Sequence, residues 1–285
     1  MKIRVGIIGY GKVGKAVYSL LRTKFAVEVY DPPLAIGLDC DPSTWDAAFV
    51  CVPTPPAPDG SCDISIVREA ISAVPAPVLV ICHSTVAVGT TDILNEERGG
   101  NIVFSPEFVG MTPGHLYADL SNLPFLILGG YEPAVGRAED ICRLAYGPKT
   151  TILKTSPRTA ELVKYADNAY LALKVAFFNE LHDLAQALSV DFEELRSLLL
   201  SDSRIGTSHS FVYPAARGFS GECLPKDVSA LLATAMGAGV DLETVSAAVR
   251  ANLKWNPRAP GGHLARGLRP CQSEVTLPAM TTAVA

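Results

Sequence analysis

The sequence predicts an α/β protein: an N-terminal doubly wound parallel sheet, a long connecting helix and a small all-α second domain. Three observations carry this. Short apolar runs alternate with amphipathic ones over residues 1–150, as strands and helices do in such a sheet. From 158 to about 188 the periodicity becomes helical, without proline or glycine. At 285 residues the chain is long for one domain and suggests two. The boundaries read as 1–155, 156–255 and a flexible tail over 256–285, where the breaker cluster Asn256-Pro257-Arg258-Ala259-Pro260-Gly261-Gly262 is followed by no usable periodicity.

Hydrophobic residues make up 48% and charged residues 19%, the balance of a globular protein with a sizeable core. A net charge of -5 argues against a nucleic-acid partner and against a polybasic membrane patch. No apolar run reaches about 18 residues, so no membrane span is expected. The N-terminus enters a strand pattern at once and leaves no room for a signal peptide. Seven cysteines, an odd number without a CxxC pair, suggest neither a zinc site nor a thioredoxin motif. Reduced thiols in a cytoplasmic enzyme are the expectation.

The first strand, Ile3 to Ile8, runs into Gly9-Tyr10-Gly11-Lys12-Val13-Gly14, and a helix pattern follows over Lys15 to Leu21. This is G-x-G-x-x-G between a strand and a helix. Gly9, Gly11 and Gly14 permit the tight turn, the approach of a pyrophosphate and close helix–strand packing. The helix N-terminus, with Lys12 and Val13, then offers N–H groups to the phosphates. A second strand, Val27 to Tyr30, ends at Asp31, twenty residues after Gly11. A carboxylate there binds the adenosine ribose hydroxyls and repels a 2′-phosphate. The expectation is a Rossmann-like domain that takes NAD rather than NADP.

Asp46 to Val52 reads as a buried strand running into the proline-rich Pro53-Thr54-Pro55-Pro56, too rich in proline for a helix or inner strand. Such a stretch suits a surface loop. It also lies at a strand's C-terminal end, where open parallel sheets bind ligands. A helix near Ile64 to Ala73 precedes the strand Val78 to Cys82, which leads into His83-Ser84-Thr85-Val86. Ile102 to Phe104 leads into Ser105-Pro106-Glu107-Phe108, and Phe125 to Gly130 is a further strand before a helix over Glu132 to Ala145.

The long helix carries an apolar stripe of Leu162, Ala166, Ala169, Leu173, Phe177, Leu181, Leu184 and Leu188, which could link the domains or pair with a second subunit. Lys164 and Asn168 are four apart and share a face, roughly 6 Å from each other. Alone the pair reads as solvated surface; in a site it could hold a substrate oxygen and stabilise negative charge. Shorter helices are expected at Asp191 to Leu200 and within Val228 to Leu253. An irregular loop, Ser208 to Ser220, carries Arg217 toward Gly218-Phe219-Ser220-Gly221-Glu222-Cys223-Leu224-Pro225-Lys226-Asp227. There a cysteine sits in a glycine-bracketed turn where a helix begins. A nearby lysine and a helix N-terminus both favour a thiolate. Cysteines are more often inert core residues, so the segment alone leaves both readings open.

Together these motifs resemble the UDP-glucose/GDP-mannose dehydrogenase family, NAD-dependent enzymes that oxidise a sugar-nucleotide alcohol to the acid. The similar stretches run from residue 1 to about 253. They are the glycine motif, Val52-Pro53-Thr54-Pro55, Ser84-Thr85-Val86, Pro106-Glu107-Phe108, KYADNAYLALKVAFFNE from Lys164, and GFSGECLPKD from Gly218. By position, the resemblance implies that Cys223 attacks the aldehyde made by a first hydride transfer. The thiohemiacetal gives a second hydride and the thioester is hydrolysed. Lys164 and Asn168 would stabilise the oxyanion, while Asp227 and Glu107 would handle water and protons. Thr85, Lys226 and the loop from Val52 to Pro56 would lie against NAD. Glu107, Phe108, Lys164, Asn168, Arg217, Gly218 and Phe219 would meet the substrate. A homodimer through the long helix is the expected assembly.

The sequence departs from the family pattern in four places. Family members continue into another Rossmann-like domain that holds much of the substrate's nucleotide, and this sequence ends before it. The segment between Asp31 and Asp46 is shorter, Met111 stands at a family acidic position, and Ser220 replaces a turn glycine. Two alternatives therefore stay open: a non-catalytic or partner-dependent NAD-binding subunit, and a two-electron dehydrogenase of β-hydroxyacid type. The latter would use Lys164 and Asn168 and leave Cys223 idle. Cys223 within its motif favours the four-electron reading, acting on a sugar nucleotide or a smaller sugar alcohol.

Overall fold

The computed structural model describes residues 2–110 and 117–267; Met111 and Cys271 lie outside them. Seven strands form one sheet in the order β2-β1-β3-β4-β5-β6-β7. They are β1 Arg4–Ile8, β2 Ala26–Tyr30, β3 Ala47–Val50, β4 Leu79–Cys82, β5 Ile102–Phe104, β6 Phe125–Gly129 and β7 Thr151–Thr155. The first five are parallel, with Ile8 opposite both Tyr30 and Val50, so their C-terminal ends share one rim. The sheet is not parallel throughout: β6 pairs antiparallel with β5, and β7 follows β6 in parallel. A parallel return needs a long crossover, usually a helix. Among the described residues between β5 and β6 only a 3₁₀ turn, Leu120–Asn122, occurs.

Helices α1 Lys12–Leu21, α2 Ser65–Ser72, α3 Thr90–Arg98 and α4 Ala134–Tyr146 cover the sheet. One core lies on the face carrying Val5, Ile7, Phe49 and Ile81, with Val17 of α1 and Ala138 of α4. The other lies on the face carrying Ala48, Val50 and Val80, with Val67 of α2 and Leu94 of α3. Sequence reasoning missed two elements here. Strand β7 is a largely exposed edge with a weak apolar signal. Helix α3 is mostly polar, and its N-terminus is held by the buried Glu161, whose carboxylate accepts the N–H groups of Gly89 at 2.6 Å and Thr91 at 2.8 Å.

Helix α5, Pro157–Ala187, runs for 31 residues. Its start follows from local chemistry: Pro157 suits the first turn, and Ser156 caps the helix by accepting the Thr159 N–H at 3.2 Å. Ala169, Ala172 and Ala176 are buried on α5, and small residues let α7, Leu224–Gly237, and α8, Glu243–Asn252, pack closely around Tyr165. Most of the large apolar stripe lies on the opposite side: Leu162, Phe177, Leu184 and Leu188 are exposed. Helix α6, Phe192–Leu199, is capped by Asp191. The tail expected to be flexible from Asn256 is structured through Gly267. A last helix, α9 Gly262–Gly267, packs on α7 and α8, with Ala265 fully buried and its carbonyl bound by Arg250 at 3.0 Å. Among the described residues no helix is long and apolar enough to cross a membrane.

Candidate active site

At the strand-end rim the three motif glycines do different work. Gly9 has φ +92°, and a Cβ there would lie 2.8 Å from the Cys51 backbone. A Cβ on Gly14 would meet the Gly9 carbonyl oxygen at 2.0 Å, so helix and turn could not pack. Around Gly11 nothing lies within 4 Å of that position. The fold itself therefore demands Gly9 and Gly14, whereas Gly11 leaves room for a ligand at the start of α1. No side chain caps that helix, so its first N–H groups are available to an anion. Lys12 begins α1, and the Val13 side chain packs on the core, leaving its N–H as the group it can offer. Asp31 sits at the end of β2, its carboxylate accepting Tyr10 N–H at 2.6 Å and Leu34 N–H at 3.2 Å. Cradle, helix terminus and acid together fit a dinucleotide.

The loops after β3 and β4 are tied to one another. Ser84 Oγ donates to the Val52 carbonyl at 2.7 Å, Asp63 N–H to the Pro55 carbonyl at 2.9 Å, and Cys62 Sγ to the Thr85 carbonyl at 3.2 Å. The proline-rich segment is thus a fixed wall, with Pro53 held between these anchors and Thr54 buried. Lys226 Nζ reaches Thr54 Oγ1 at 3.3 Å across from α7.

Cys223 is the N-cap residue of α7, and it is exposed. Gly218 and Gly221 precede it with φ +74° and +84°. One turn into α7, Asp227 is 1% exposed. Its carboxylate accepts from Asn168 Nδ2 at 2.5 Å and from Lys226 Nζ at 2.6 Å. Lys226 is therefore engaged with Asp227 and Thr54. One turn before Asn168, Lys164 Nζ donates to the Glu107 carbonyl at 2.6 Å and lies 5.2 Å from the Phe108 ring centre. Glu107 is buried, with Oε1 accepting the Phe108 N–H at 2.8 Å. A pair that sequence alone reads as solvated helix surface is thus the junction between α7 and the loop after β5. Lys12 and Glu222, 3.5 Å apart, join the glycine turn to the cysteine turn.

Comparison with known proteins agrees. The NAD binding domain of the UDP-glucose/GDP-mannose dehydrogenase family matches residues 34–146, and its central domain matches 158–254. The chain belongs to this family. The UDP-glucose 6-dehydrogenase of Pseudomonas aeruginosa is 33% identical over 228 residues, 73% of this chain and 49% of that protein. The Rickettsia bellii UDP-glucose 6-dehydrogenase is 32% identical over 220 residues, 73% of this chain and 49% of its own. Among solved structures, a UDP-glucose dehydrogenase from Pyrobaculum islandicum superposes with a TM-score of 0.75 at 29% identity, covering 89% of this chain and 68% of that one. The chain spans about half the length of the curated relatives it matches.

In this family member two residues expected at the substrate turn inward. Phe219 is 3% exposed and packs in the core around Tyr165. Arg217 spends its guanidinium on α5, donating to Asn179 Oδ1 at 2.6 Å and to Asp183 Oδ1 at 2.7 Å, and it lies 5.0 Å from the Trp255 ring centre. Three asparagines that sequence reasoning passed over hold this loop. Asn179 also accepts the Gly218 N–H at 3.1 Å. Asn252 Oδ1 accepts Phe219 N–H at 2.8 Å while its Nδ2 donates to Phe219 O at 2.9 Å. Asn256, placed by sequence in the tail, donates to the Arg217 carbonyl at 2.9 Å. A Cβ on Gly218 would stand 2.3 Å from Asn252 Oδ1. The available signal was a buried-type position occupied by an amide within an apolar helix, as at Asn179 after Phe177-Phe178.

Proposed function

We propose that this chain oxidises the primary alcohol of a sugar nucleotide to the carboxylate, with NAD as acceptor and Cys223 as nucleophile. The observation that carries the reading is the buried Asp227 carboxylate. It binds Asn168 and Lys226 together, and through them links the Cys223 turn to α5 and to Thr54 in the loop after β3. Two NAD molecules bound in turn would accept the hydrides, one for alcohol to aldehyde and one for thiohemiacetal to thioester. Cys223, exposed at a helix N-terminus, is free to add its sulfur to the aldehyde carbon. The oxygen of that adduct meets the remaining N–H donors of Lys164 and Asn168, which stabilise its charge. In the last step water adds to the thioester carbon, the C–S bond breaks, and sulfur leaves as the thiolate. Glu107 takes the proton from that water.

The test is NADH yield from UDP-glucose, GDP-mannose and related sugar nucleotides, beside Cys223→Ala. Two NADH per substrate, lost in the variant, is the expected result. One NADH per substrate, unaffected by the variant, would replace it with two-electron chemistry. NAD binding without turnover would favour a partner-dependent subunit.

The same reading extends to assembly as a homodimer through α5. Tyr170 at 63% and Phe177 at 55% exposure, with Leu184 beyond them, form an apolar stripe that a second copy would cover. Light scattering should give twice the chain mass, and Phe177→Glu should give the monomer mass.

A further inference from the structure

Helix α3 takes its N-terminal cap from another element. Its own N-cap residue is Gly89, at φ +94°, which has no side-chain oxygen to accept the first helical N–H groups. Glu161 of α5 serves instead, with Oε2 accepting the Gly89 N–H at 2.6 Å and Oε1 the Thr91 N–H at 2.8 Å. The residue is 0% exposed. Burial pushes its carboxyl above the ordinary range, and the Thr91 and Gly89 hydrogen bonds offset only part of that. Burying a carboxylate is costly, and a serine at an N-cap satisfies the same donors without burying a charge. What the glutamate adds is a link between two elements.

The link ends at the strand-end rim. Helix α3 follows directly on the loop from β4, residues 83–89, and three groups anchor that loop. Ser84 Oγ donates to the Val52 carbonyl, Cys62 Sγ donates to the Thr85 carbonyl, and Glu161 grips the far end. The first two hold the loop to its neighbour after β3, whereas Glu161 holds it to α5. The sheet order β2-β1-β3-β4 sets what the loop faces. Asp31 at the end of β2 and the glycine turn after β1 suit the adenosine and pyrophosphate half of a dinucleotide. The nicotinamide half then extends across β3 toward β4 and the loop that Glu161 holds.

We propose that Glu161 is a positioning residue for the nicotinamide half of NAD: by capping α3 from α5, it fixes the loop after β4 at the rim. It touches no cofactor itself. The inference needs the cofactor and not the thiol chemistry proposed above, so the two stand or fall separately. A second contact between α3 and α5 lies outside this link. Arg158 Nε donates to Asp92 Oδ2 at 2.6 Å, with the arginine side chain 69% exposed, and so exposed a pair contributes little.

The test is calorimetry with NAD and, separately, with ADP, which fills only the adenosine and pyrophosphate half. Glu161→Gln keeps the size of the side chain but turns an amide NH₂ toward one of the two N–H donors. It should weaken NAD binding about tenfold, within the usual range of coupling between sites, and leave ADP binding within about twofold of the parent. Asn95→Ala is the control for a purely structural role. It removes the clamp at the other end of α3, where Oδ1 accepts the Ile102 N–H at 2.9 Å and Nδ2 donates to the Ile102 carbonyl at 3.0 Å. That variant should melt lower yet bind both ligands as the parent does, and Arg158→Ala should also bind both unchanged. NAD binding unmoved by Glu161→Gln, or NAD and ADP weakened by the same factor, overturns the proposal. Should Glu161→Gln fail to fold, amide exchange in the parent decides. By reciprocity between loop and cofactor, NAD should slow exchange at Gly89 and Thr91 more than ADP does, and equal exchange with the two ligands overturns the proposal.

Discussion

Asn252 clamps the backbone just ahead of the cysteine turn, and replacing it by alanine tests whether that clamp holds the site. The side chain is 0% exposed and serves both the N–H and the carbonyl of Phe219, at 2.8 and 2.9 Å. Alanine would leave the buried N–H unsatisfied, at about 1–3 kcal/mol. The carbonyl keeps a weaker partner, because Asn256 Nδ2 lies 3.4 Å away, so its loss is the smaller part. A small cavity adds to both, and the total should be about 2–4 kcal/mol. Urea unfolding with an unchanged m-value would measure it. The cysteine turn should loosen too, so the alkylation rate of Cys223 should change in folded protein while that of a denatured sample does not. Asn252→Asp sharpens the test. It keeps an acceptor for the N–H but sets a carboxylate against the Phe219 carbonyl. That buried acid titrates high, so protonation should recover stability as pH falls, and the defect should deepen as pH rises. An Asn252→Ala protein that unfolds within about 0.5 kcal/mol of the parent, with Cys223 alkylated at the parental rate, would refute the clamp.

Other outcomes follow from the same geometry. Gly11→Ala should melt as the parent does but bind NAD at least tenfold more weakly by calorimetry, roughly 1.4 kcal/mol or more, whereas Gly14→Ala should lose both stability and binding. In native protein treated with iodoacetamide and mapped by peptide mass, Cys223 should be modified first among the described cysteines. Cys82 and Cys142 should stay silent, since burial pushes both thiols up to about 12. For Asp183, burial raises the carboxyl, but the Arg217 hydrogen bond and charge, helped by His182, outweigh it and leave it below the usual range. A lowered folded pKa means stability that is complete above about pH 4 and lost as pH falls through the folded value. Asp183→Asn should therefore be less stable than the parent at neutral pH, with the gap closing in acid, as urea midpoints across pH would read.

How much was legible depended on whether a residue's role was local. The strand–G-x-G-x-x-G–helix unit with Asp31 was readable because turn, helix terminus and acid are set by neighbours along the chain. The α7 start at Cys223 was readable for the same reason, as was the length of α5, uninterrupted by proline or glycine. The antiparallel turn-back at β6 was not readable, since strand direction depends on which edge a connection reaches. Nor was the buried face of α5: counting large apolar residues selected the exposed stripe, whereas packing against α7 and α8 selected alanines, because close approach favours small side chains. Arg217 and Phe219 lay in a recognisable motif, yet only the positions of Asn179, Asn252 and Trp255 turned them inward. Sequence by itself determined the cofactor class, the fold class and the order of the motifs, all encoded in short-range spacing. The tertiary structure alone decided which motifs touch. The Asp227–Asn168, Lys164–Glu107 and Glu161–Gly89 contacts join residues far apart in the chain, and no local preference records such a meeting.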